Sequence, residues 1–135
     1  MALNKRKKEV RILVDELKKI SNEVLGILVY GSYAEKGETS RSDIDICIVA
    51  GHNDKIKLMK LFKKILLIMA RDIKYDLKIF EHMPLYMKIN VIEKGKPILT
   101  MDIPGLYEYF YFYRKLWNDQ AIARMENVAG GEAVA

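Results

Sequence analysis

Hydrophobic and polar positions alternate with two different periods along this chain, and each change of period marks the start of a new element. Val10, Leu13, Val14 and Leu17 recur at i, i+3, i+4 and i+7, so an amphipathic helix is expected from Glu9 to about Ile20, ended by Ser21-Asn22. Leu25 to Tyr30 is a short apolar run of strand formers stopped by Gly31-Ser32, the pattern of a buried strand. A polar loop, 35–42, then delivers the chain to a second strand, Asp43–Ala50, in which Ile44, Ile46 and Ile48 share one side and Asp43 and Asp45 the other. Gly51 to Asp54 make a turn, with Asn53 or Asp54 as helix cap. The helix that follows, Lys55–Arg71, carries Ile56, Met59, Phe62, Ile65, Leu66 and Met69 at helical spacing, and that stripe is expected to face the core.

Asp76 opens a third strand, with Leu77 and Ile79 on one side and Asp76, Lys78 and Phe80 on the other. Pro84 suits the first turn of a helix over Tyr86–Ile92 that ends at Gly95, and Pro97–Thr100 fits an edge strand. From Leu106 to Trp117 the chain is aromatic on almost every side: Leu106, Phe110, Tyr113 and Trp117 form one helical stripe, and Tyr107, Tyr109, Tyr111 and Phe112 cover most of the rest. A helix apolar nearly all round is covered on more than one side, so this one is expected to pack on its own domain and on another chain. The small, glycine-containing tail, 121–135, is expected to be flexible, leaving residues 1–120 as a single domain. The order of elements predicts an α/β fold, a small mixed sheet with helices packed on one face and the acidic side chains on the other.

Those side chains carry the chemistry. Residues two apart in a strand point the same way, about 7 Å from one another, so Asp43 and Asp45 would repel unless one is protonated or a cation sits between them. Hard divalent ions with oxygen ligands are the usual solution. Gly31 lets an anionic ligand approach the backbone closely, and Ser32 heads a turn whose free N–H groups and hydroxyl can hold a phosphate. For Asp76 an ordinary ion pair with Lys78 or Lys74 stands beside a role as third carboxylate. His52 and His82 read as structural.

Gly31-Ser32, ten intervening residues, then Asp43-x-Asp45 within Ser-Asp-Ile-Asp-Ile resembles the signature of the polymerase-beta-type nucleotidyltransferases, above all their minimal branch. Tyr75 to Phe80, Pro84-Leu85 and Val91 to Leu99 are similar to the later part of that branch. The resemblance implies Asp43, Asp45 and Asp76 as catalytic and metal-holding carboxylates, two magnesium ions with manganese as a substitute, and ATP held at Gly31 and Ser32. Where the family has a basic residue and then glycine, this chain reads Glu35-Lys36-Gly37, so Lys36 is the replacement cation for the phosphates and Arg41 a further one. The resemblance also implies an antitoxin that transfers AMP to a tyrosine of a partner HEPN-type RNase toxin. Alternatives are neutralisation by binding alone, and transfer to RNA or a small molecule. A hetero-oligomer follows from the toxin, and a homodimer could form through helix 106–117.

Charge and composition add little to this picture. A net charge of +5 favours anionic partners or simply solubility, and the basic run Lys5 to Lys8 reads as a solvated terminus, so direct nucleic-acid binding is not expected. One cysteine, Cys47, excludes an intrachain disulfide framework. The longest apolar run, Ile65–Ala70, is too short to span a bilayer, and the expected location is cytoplasmic with no membrane contact.

Overall fold

β-branched residues and tyrosine dominate two central strands, β1 (Gly26–Tyr30) and β2 (Ile44–Val49), which pair antiparallel with Tyr30 opposite Asp45 and Leu28 opposite Cys47. The computed structural model describes residues 2–31, 44–70 and 75–134, with the side chains of Lys8 and of Arg11 through Met125 within those ranges. β3 (Tyr75–Ile79) lies parallel to β2 and β4 (Lys96–Leu99) antiparallel to β1, so the sheet runs β3-β2-β1-β4 and is mixed, as expected. A parallel neighbour needs a crossover. The helix α2 (Lys55–Met69) supplies it, capped by Asp54, whose carboxylate accepts from the Ile56 and Lys57 amides.

Alternation along the strands sends successive residues into two separate cores. Ile27, Val29, Ile44, Ile46, Ile48, Leu77 and Ile79 pack against α1 (Ala2–Leu17), the 3-10 turn Lys18–Glu23 and α2. Leu28, Tyr30, Cys47 and Val49 pack on the other side, against Phe80, α3 (Leu85–Lys94) and α4 (Ile103–Val134). Helices therefore lie on both faces and not on one as the pattern predicts: α1 and α2 cover the first, and α3 and α4 cover part of the second, which the acidic side chains share, because Leu28, Cys47 and Val49 make that face apolar as well.

Three elements depart from the pattern reading. α1 begins seven residues earlier than expected, at Ala2, in a segment whose lysines fit a helix as well as a free terminus. α4 continues as helix to Val134, through the segment expected to be a loose tail. The third departure concerns α2, where Leu58, Leu61 and Ile65 face the core, while Ile56, Met59, Phe62 and Leu66 from the expected stripe lie exposed. Two adjacent arcs of this helix are apolar, and spacing alone does not say which of them packs.

α4 follows its predicted stripe. Leu106, Phe110 and Tyr113 are buried, with Trp117 partly covered, and Tyr107, Tyr111 and Phe112 face outward. Phe80 sits at the centre of this layer, its ring 5.2 Å from that of Tyr113 and 5.4 Å from that of Phe110.

Candidate functional site

The acidic residues gather where β1 ends and β2 and β3 begin. Tyr30, Asp45 and Asp76 are lateral partners on three neighbouring strands, Tyr30 opposite Asp45 and Asp45 opposite Asp76. Residues paired in this way point to the same face, and adjacent strands are about 4.8 Å apart. Asp45 and Asp76 therefore present two carboxylates side by side, on the face whose far end is closed by Phe80 and α4. The shared face follows from sequence: Ile44, Ile46, Leu77 and Ile79 must enter the first core, and a slip of one residue would drive them into water.

Gly31 borders this row. Its φ of 73° lies in the left-handed region, and a Cβ placed there would collide with Oδ2 of Asp45. The missing side chain thus does two things, turning the chain at the end of β1 and making room for a carboxylate against the backbone.

Asp76 also makes the ordinary contact that its sequence context allows. Lys78 Nζ lies 3.6 Å from Asp76 Oδ2, and both side chains are more than a third exposed. Such a pair contributes little and is readily exchanged for a stronger cation. The Tyr30 hydroxyl is buried and has no hydrogen-bond partner among the described residues. Burial, and then the charges of Asp45, Cys47 and Asp76, raise its pKa well above the ordinary tyrosine value, so it stays a neutral donor beside the carboxylates.

The donor set suits a hard divalent cation, since Asp45 and Asp76 offer oxygen ligands from two paired strands, with Gly31 beside Asp45. Among the described residues no group of three His, Cys, Asp or Glu side chains completes such a site. Asp43, Ser32, Lys36 and Arg41 lie outside the described residues. His52, expected to be structural, accepts a hydrogen bond at Nδ1 from the Asp54 amide, and His82 packs edge-on against Phe62.

One residue of consequence carries no motif. Glu81 is buried, and its carboxylate accepts from the Ala50 amide at 3.0 Å, the Gly51 amide at 3.0 Å and the Tyr109 hydroxyl at 2.6 Å. It ties the end of β2 to α4 and so fixes how the second layer sits on the sheet. The available signal was a lone acid inside the apolar stretch Ile79-Phe80-Glu81-His82-Met83.

Residues 13–103 match the family model described as polymerase beta, nucleotidyltransferase. A Methanocaldococcus jannaschii protein, provisionally named a protein adenylyltransferase, is 42% identical over 106 residues, covering 78% of this chain and 80% of its own. Among solved structures, a chain from a toxin–antitoxin crystal structure with AMP-PNP superposes with a TM-score of 0.63 at 20% identity, over 87% of this chain and 94% of that one. A chain from the Shewanella oneidensis complex of tri-AMPylated HEPN toxin with MNT antitoxin gives a TM-score of 0.57 at 20% identity, over 96% and 98%. These two likenesses bear on the fold. No helix among the described residues is long and apolar enough to cross a membrane.

Proposed function

The chain belongs to the polymerase-beta nucleotidyltransferase family, and from that membership we propose that it transfers AMP from ATP to a tyrosine of a HEPN-type RNase toxin and thereby acts as its antitoxin. The observation that carries the proposal is the in-register pairing of Asp45 with Asp76 beside Gly31. The name of the Methanocaldococcus relative and the toxin–antitoxin complexes among the structural neighbours support the choice of acceptor.

Divalent ions, magnesium or manganese, would be held by Asp43, Asp45 and Asp76; when bound they neutralise the triphosphate and lower the pKa of the attacking hydroxyl. The chain's own residues divide the remaining work. Gly31 offers backbone without a side chain to the phosphates, and Ser32 adds a hydroxyl donor, while Lys36 and Arg41 balance charge on the leaving pyrophosphate. Asp45 stands next to that cradle, and Asp76 stands one strand further out, on the sheet's edge strand. The nucleotide then lies over β1 and β2, and the acceptor tyrosine enters over β3. Water and wrong acceptors are excluded by the partner's own surface, for which the outward aromatic side chains of α4, Tyr107, Tyr111 and Phe112, form a docking face.

The test is incubation of the chain with α-labelled ATP, magnesium and the purified toxin. Label on a toxin tyrosine, lost in Asp45→Asn and Asp76→Asn, supports the proposal. Toxin neutralised without label would indicate binding alone, and label on RNA or a small acceptor would redirect the assignment.

A further inference from the structure

We infer that the outer face of α2 is a second docking surface, for a protein partner that presents an apolar ridge flanked by aspartate or glutamate. This surface is separate from the carboxylate row and from α4. Ile56 is 65% exposed, Met59 55%, Leu66 46% and Leu67 71%, and Phe62 joins them at 42%. On a helical projection these five fall within one arc, adjacent to the arc of Leu58, Leu61 and Ile65 that enters the core. Five large apolar side chains left in water on one helix form a contiguous patch, which in a soluble chain marks a contact surface.

The charge around the strip selects its occupant. α2 contains Lys55, Lys57, Lys60, Lys63 and Lys64 and no acidic residue. Lys64 is engaged by Glu23 at 2.7 Å, and Lys60 and Lys63 are exposed beside the apolar residues. Two copies meeting through this strip would bring lysines against lysines, which disfavours self-association. A partner with acidic flanks gains both the apolar contact and the charge pairing.

A planar anionic membrane has the same two properties, and the fold argues against it. α2 lies on one face of the sheet and α4, with its own exposed Tyr107, Tyr111 and Phe112, on the opposite face. A bilayer can cover one of these at a time and leaves the other in water, whereas an assembly of protein chains can cover both.

The surface is tested with a photo-crosslinking residue in place of Met59 in the full chain, expressed in its own host, with the same residue in place of exposed Lys19 as control. The expected product joins Met59's position to a protein segment whose sequence reads as an apolar helix face flanked by Asp or Glu. That partner, once purified, should bind the Lys60→Glu/Lys63→Glu variant at least about tenfold more weakly than the wild type, with the wild-type affinity falling as salt is raised. Crosslinks to lipid, to nucleic acid or to a second copy would overturn the inference. So would absence of any product specific to position 59, or a partner whose affinity ignores both the charge reversal and salt. The readout is binding alone, so it stands or falls independently of AMP transfer.

Discussion

Asp45 and Asp76 are direct register partners on the parallel strands β2 and β3, one on a central strand and the other on the edge. A parallel pair of this kind holds two carboxylates at a separation set by the backbone ladder and not by flexible loops. Removing either oxygen donor set should therefore be severe. Asp45→Asn and Asp76→Asn are each expected to lower AMP transfer by more than the roughly 10–100-fold that outer-shell partners of a metal are worth, with little change in stability. Initial rates and urea unfolding of both variants check this.

Gly31→Ala should damage fold and activity together. The left-handed backbone costs an alanine about 1–2 kcal/mol, and its Cβ would displace the Asp45 carboxylate from the site. Denaturant unfolding is expected to show that loss, and transfer activity is expected to fall further than the stability change explains.

Glu81→Ala should destabilise the chain by about 3 kcal/mol, because it leaves two backbone amides and the Tyr109 hydroxyl without their acceptor. Equilibrium unfolding measures this directly. An unchanged midpoint would mean that α4 is not anchored through Glu81.

Alkaline pH should erode stability through two tyrosines. Burial first, with the Glu81 and Tyr113 contacts adding to it, raises the Tyr109 pKa well above the usual value, and burial with the nearby charge of Asp45 does the same for Tyr30. The fold favours the neutral phenols, so their contribution is complete below about pH 10, the unfolded value, and is lost as pH climbs through the raised folded values. Tyrosinate absorbance of the native chain should account for fewer than its eight tyrosines until unfolding releases the rest. Tyr109→Phe should make the alkaline decline in stability shallower.

The strands and the acidic row were legible because both follow from a period of two. Ile44, Ile46, Leu77 and Ile79 must be buried together, and that requirement puts Asp45 and Asp76 on the same opposite face, where the structure pairs them in register. The face of α2 was not legible, since Leu58 and Leu61 compete with Met59 and Phe62 at the same spacing and only the sheet decides between them. For Glu81 the lone acid in an apolar stretch signals a buried carboxylate but not what it binds. Its partners, Ala50, Gly51 and Tyr109, are some 30 residues away in either direction, beyond the reach of any local pattern. The continuation of α4 beyond Trp117 has no apolar stripe to announce it, and helix formation there follows from the alanine, glutamate and arginine content of 121–126.

Titration of the chain with manganese, followed by electron paramagnetic resonance in the presence of a non-hydrolysable ATP analogue, tests most directly whether the two partnered carboxylates hold a cation against a nucleotide. Tight nucleotide-dependent manganese binding by the wild type is expected, with a large loss of bound signal in both Asp45→Asn and Asp76→Asn. Equal binding by the three proteins, or none by the wild type, would contradict it.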